Sequence, residues 1–201
     1  MRLLYVTHPQ VQIDANVPVP LWGLSPLGRE RALAFAERGV LPPGAMIFSS
    51  RESKAMELAE ILAQADGGLV LTDHLMGEND RSATGFLPPA LFEQTADRFF
   101  AEPERSVDGW EPAADAQRRI VETVRTAVAS VPEGVPVIFC GHGAVGTLLK
   151  CHVGGRPIRR AEDQSRHGDK GGGNCFVFDL EAMALGCEWT PMEEFPANWF
   201  S

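Results

Sequence analysis

The sequence predicts a three-layer α/β sandwich, a mostly parallel central sheet with helices on both faces, and three observations predict it. Short apolar, β-prone runs alternate with longer helical patterns through most of the chain. Several of these runs stop abruptly on a hydroxyl or a histidine followed by a turn residue, as at Thr7-His8-Pro9, Ser49-Ser50 and Gly141-His142-Gly143. The 201 residues, 44% hydrophobic and 22% charged, are enough for one sizeable core, and no linker interrupts them, so a single domain over residues 1–201 is expected.

Taken in order, Leu3 to Val6 is a buried strand ending at His8, and residues 9–23, with Pro18 and Pro20 and no sustained period, form a loop long enough to be functional. Ser25 caps and Pro26 begins a helix through Arg38, which Gly39 stops. Ala45 to Ser50 is a second strand, Ser53 to Ala65 a helix ended by Gly67-Gly68, and Leu69 to Thr72 a third strand followed by Glu78, Asp80 and Arg81. Helices follow over Pro88 to Phe100 and Ala113 to Ser130, then a strand from Val135 to Cys140 and a helix from Ala144 to His152. Arg156 to Asn174 reads as a charged, glycine-rich loop before a last strand from Cys175 to Asp179. Trp110, Trp189 and Trp199 are read as core residues.

Composition narrows the partners. A net charge of -9 argues against duplex nucleic acid or an anionic membrane, both of which reward clustered Lys and Arg. It leaves room for a small anion held by a few local cations. Cys140, Cys151, Cys175 and Cys187 lack CxxC spacing and read as free thiols. No basic leader and no run of 18 apolar residues is present, so the expected location is the cytoplasm.

His8 and His142 share a context: an apolar run, then His flanked by Pro or Gly. In a parallel sheet the carboxyl ends of the strands lie along one edge, where two such histidines converge despite their separation in sequence.

These residues resemble the histidine phosphatase superfamily, with its phosphoglycerate-mutase-like fold. Thr7-His8-Pro9 stands where the family has Arg-His-Gly. Leu24-Ser25-Pro26-Leu27-Gly28 with Arg31-Ala32 is similar to its Leu-Thr-x-x-Gly-x-x-Gln-Ala. Ser49-Ser50 with Lys54-Ala55 and Ala59 is similar to Ser-Ser-x-x-x-Arg-Ala-x-x-Thr-Ala, and Val137 to Gly143 resembles the strand and His-Gly that close the site. The resemblance implies a phosphatase acting on a phosphomonoester or phosphorylated side chain, carried by a small phosphorylated substrate or a phosphoprotein, with no metal or cofactor. It implies His8 as the nucleophile that carries the phosphoryl group and His142 as a holder of its oxygens. Glu78, with Asp80 in reserve, would be the proton donor, and Lys54 a phosphate ligand.

Two departures alter the pocket. Thr7 brings one hydroxyl where the family brings a guanidinium; losing a charge-assisted bond worth about 1.5–3 kcal/mol weakens anion binding roughly 10- to 150-fold. Pro9 removes a backbone N–H. Arg51, Arg81, Arg166, His167 and Lys170 are candidates for a compensating cation, with Arg51 and Arg81 nearest the other motifs. The alternative is a catalytically impaired member that binds a phosphorylated ligand or a protein partner, and a replacement cation near the two histidines would favour the enzyme.

Other patterns weigh less. Gly141 to Gly146 fits G-x-G-x-x-G, but it falls too late in the chain for a dinucleotide domain, and its glycines are read as allowing a tight turn at His142. A zinc set of His142, Cys151, His152 and Cys175 lacks the usual spacing. Gly171-Gly172-Gly173 reads as a flexible loop at the site mouth.

Overall fold

The computed structural model describes residues 1–200. It has the expected α/β architecture. Four parallel strands, β1 (Leu3–Thr7), β2 (Met46–Ser49), β3 (Leu69–Thr72) and β4 (Val137–Gly141), lie in the order β3-β2-β4-β1, and β5 (Asn174–Asp179) continues the sheet antiparallel to β1. Two short strands, β6 (Ala184–Leu185) and β7 (Thr190–Pro191), pair with β5. Sequence alone did not anticipate these two-residue edges, because they are too short to carry a period.

Alternation along each strand builds two cores. Leu3, Tyr5, Val137, Phe139, Phe176 and Phe178 face one side, where α3 (Pro89–Ala101), α4 (Ala113–Ala129) and α5 (Gly143–Val153) cover them. Leu4, Val6, Ile138, Cys140, Cys175 and Val177 face the other, against α1 (Pro26–Glu37), α2 (Ser53–Asp66) and the C-terminal residues Met192, Phe195 and Trp199. The three tryptophans expected in the core are buried. The helix ends follow their signals: Ser25 Oγ accepts from the Gly28 amide at the start of α1, and Gly67 closes α2 in the left-handed region.

One predicted loop is more ordered than expected. Residues 156–174 contain a 3-10 turn at Arg160–Glu162 and the one-turn α6 (Gln164–His167), whose amino end Asp163 caps through the Ser165 amide. Fully buried Lys150 anchors this segment, pairing with Glu162 and Glu188, each at 2.8 Å. No helix among the described residues is long and apolar enough to cross a membrane.

Candidate active site

Because β1, β2, β3 and β4 are parallel, their carboxyl ends meet at one sheet edge, and the antiparallel β5 brings its amino end to the same place. The register sets Thr7 beside Gly141 and Ser49 beside both Cys140 and Thr72. The residues just past these pairs therefore converge. His8 and His142 meet edge to face with ring centroids 5.2 Å apart. His8 borders a cavity of about 240 Å³ whose walls include Trp22, Lys54, Glu78, Arg81, Trp110 and Gln164, and His142 lies buried behind it.

The His8 ring is fixed by its own chain. Nδ1 lies 2.9 Å from the Pro9 carbonyl, which can only accept, so Nδ1 carries the proton and Nε2 keeps its lone pair. Burial, reinforced by repulsion from His142, pushes the His8 pKa down to about 3, which keeps the ring neutral. Gly172 and Gly173, both at positive φ, pass directly over this residue; a Cβ on Gly172 would fall 2.2 Å from the His8 carbonyl oxygen, and the Gly173 amide donates to that oxygen. The glycine run is thus a close-approach device rather than merely a flexible loop.

His142 is fully buried at the amino end of α5. Its Nε2 lies 2.7 Å from Ser50 Oγ, which already accepts from the Glu52 amide and so has its own proton free for the ring. Its other ring nitrogen, Nδ1, is buried with no partner among the described residues. Burial pushes the His142 pKa down, against the pull of Glu52 and Glu78. The Tyr5 hydroxyl accepts from the His142 amide and donates to its carbonyl. The neighbouring glycines serve this contact, correcting the tight-turn reading: a Cβ on Gly141 would sit 2.2 Å from the Tyr5 hydroxyl, and one on Gly146 2.5 Å from its ring.

Glu52, which no sequence pattern singled out, sits at the centre of the polar network. Its Oε1 accepts from the Glu78 amide at 2.8 Å and lies 3.5 Å from His142 Nε2, while Oε2 pairs with Lys54. Burial works to raise its pKa, but His142 and Lys54 outweigh this and hold it at about 2. Lys54 also donates to the Val19 carbonyl at 2.9 Å, so its charge is internally balanced. Glu78 lines the cavity and accepts from the Ala144 and Val145 amides at the start of α5, which tethers it to the helix that begins at His142. Asp80 is exposed, outside the cavity wall, and accepts from the Ser82 amide.

Of the candidate compensating cations, Arg81 reaches the cavity wall. Its guanidinium stacks on Phe92 and Trp110, 5.2 and 5.6 Å from the ring centroids. It makes no ion pair among the described residues, and its charge helps lower the His142 pKa. Lys170 also borders the cavity. Two expected ligands do not face it. Arg51 is exposed and outside the cavity wall, and the Thr7 hydroxyl is buried, accepting from the Asn174 amide at 2.9 Å and donating to Gln164 Oε1 at 2.8 Å. Arg166 and His167 are exposed and outside the wall as well. No cluster of His, Cys, Asp and Glu suited to a metal ion occurs among the described residues.

Residues 9–180 match the model of the histidine phosphatase superfamily (branch 1), and the chain belongs to that superfamily. The match begins immediately after His8. No curated protein matches the chain significantly. Among solved structures it is similar to mycobacterial glucosyl-3-phosphoglycerate phosphatase Rv2419c (TM-score 0.74, 22% identity, 94% of this chain and 98% of that one). YhfR from Bacillus stearothermophilus aligns with TM-score 0.74 at 20% identity, over 92% of this chain and 93% of that one. A putative alpha-ribazole-5'-P phosphatase from Escherichia coli aligns with TM-score 0.68 at 15% identity, over 94% and 96% of the two chains.

Proposed function

We propose that this protein is a phosphatase that hydrolyses a phosphomonoester or phosphorylated side chain through a phosphohistidine on His8. The observation that carries the reading is the His8 ring itself, a neutral imidazole whose Nδ1–H is tied to the Pro9 carbonyl and whose Nε2 is free beside His142 at a cavity. Family membership supports it, and the mycobacterial phosphatase with this fold has been solved with VO3 and with inorganic phosphate.

In the first step His8 Nε2 attacks phosphorus, the phosphorus–oxygen bond to the leaving group breaks, and Glu78 in its protonated form gives that oxygen a proton. His142 and the Arg81 guanidinium hold the phosphoryl oxygens as charge builds on them. In the second step water attacks phosphorus, Glu78 takes its proton, the phosphorus–nitrogen bond breaks, and phosphate leaves with His8 neutral again. Glu78 is preferred to Asp80 because it borders the cavity.

The non-catalytic alternative draws on the buried, neutral Thr7. Arg81, a cation with no ion-pair partner among the described residues that lines the cavity with His8, favours the enzyme. The deciding experiment is hydrolysis of an aryl phosphate by wild type and His8→Ala, with a chase for acid-labile, base-stable phosphoprotein. Turnover and a labile phosphoryl group that both vanish in the variant support the reading. Turnover that survives in His8→Ala, or none in wild type despite phosphate binding, would overturn it.

A further inference from the structure

Thr7, which stands in the sequence where the family has an arginine, belongs to a chain of hydrogen bonds that fixes the orientation of two side-chain amides. It begins at the Asp169 amide, which can only donate and does so to Asn174 Oδ1 at 2.7 Å. Asn174 Nδ2 must then be a donor, and it reaches the Asp169 carbonyl and Gln164 Oε1, both at 2.8 Å. Thr7 Oγ1 accepts from the Asn174 amide and donates its own proton to Gln164 Oε1 at 2.8 Å, the shorter of two contacts, the other being the Asn174 carbonyl at 3.3 Å. Two donors therefore fix the Gln164 oxygen, and the amide nitrogen is turned the other way. That Nε2 lies against Gly143, the residue after His142, so close that a Cβ there would fall 2.3 Å from it. Gln164 lines the cavity with His8, and no acceptor among the described residues meets its Nε2.

We propose that Gln164 Nε2 is a phosphoryl-oxygen donor that replaces the lost arginine, with Thr7 and Asn174 as its positioning residues. The substitution of Thr7 is then half of an exchange. A short hydroxyl on β1 stands where the family has a long charged side chain, and it bonds a neutral amide from α6. Lys54 is balanced by Glu52, so this donor adds reach to the oxygens without adding charge.

The proposal rests on the site taking a phosphoryl group, and the experiment separates the two. Inorganic phosphate and vanadate are titrated calorimetrically into wild type, Gln164→Ala, Gln164→Met, Thr7→Val and the double variant Thr7→Val with Gln164→Ala. A bond from a neutral donor to an ionised acceptor predicts phosphate binding weakened at least about tenfold in both Gln164 variants. Thr7→Val is expected to weaken binding in the wild-type background and to change nothing further once Gln164 is alanine, a dependence that a merely structural role would not produce. Asn174 keeps its two bonds to Asp169 in every variant, so the segment retains its anchor, and Gln164→Met preserves the volume. Binding within twofold of wild type in both Gln164 variants overturns this proposal alone. A wild type that binds neither anion overturns it together with the phosphatase reading.

Discussion

At the scale of single residues, the site is a set of groups held in a chosen protonation state. His8 remains neutral in the folded protein down to about pH 3, whereas in the unfolded chain it protonates near its ordinary 6.5. Between these values the unfolded state binds the extra proton, so this residue's contribution to stability falls as pH drops below 6.5. Replacing His8 by Asn should flatten the stability–pH curve between pH 6.5 and 4.5 by up to about 1.4 kcal/mol per pH unit, measured by urea unfolding across that range. Glu52 acts in a lower window. Its folded pKa is depressed to about 2, so its stabilisation is present above 4.5 and is lost as pH falls from 4.5 toward 2. Its partner Lys54 is buried, with only 3% of its surface exposed. Glu52→Ala strands that charge and should cost about 3–5 kcal/mol in the same assay. Glu52→Gln, which still accepts from the Glu78 amide, should cost less.

At the scale of elements, a tyrosine on one strand sets the histidine on the next. The Tyr5 hydroxyl bridges the His142 amide and carbonyl, and Gly141 and Gly146 leave it room. Gly141→Ala should destabilise by about 1–3 kcal/mol through overpacking. Because the displaced hydroxyl holds the His142 backbone, turnover should fall as well, which comparison of melting and aryl phosphate hydrolysis will check. Much of this level was legible in the chain. The apolar runs ending in Thr7-His8 and Gly141-His142, and the caps Ser25 and Gly67, are local signals that folding leaves intact. The direction of β5 was not legible, since an apolar run reads alike either way, and α6 is too short for a period. Glu52 and Gln164 escaped for a further reason: their roles are made by partners distant in sequence, such as His142 for one and Thr7 for the other.

At the scale of the molecule, the fold binds one flank of the site to the core through Lys150. This fully buried ammonium joins Glu162, at the turn before α6, to Glu188, just before β7. Arg156 ties the same two carboxylates together at 2.9 and 2.5 Å. Lys150→Ala should therefore loosen residues 154–173 first, with trypsin cutting at Arg159 or Arg166 well before global unfolding, detectable by mass spectrometry of timed digests.

The pairing of Lys54 with Glu52 bears on how substrate arrives. An ammonium already neutralised by its neighbour projects little field into solvent, and the whole chain carries a net charge of -9. An approaching phosphate ester is therefore not drawn in from a distance and meets the cavity's cations that are unpaired among the described residues, Arg81 and Lys170, at close range, since Arg160 there is balanced by Glu93, Asp97 and Asp163. The second-order capture rate should stay level or rise modestly as salt increases, opposite to an electrostatically steered enzyme. Stopped-flow encounter kinetics at low and high ionic strength would register that sign directly.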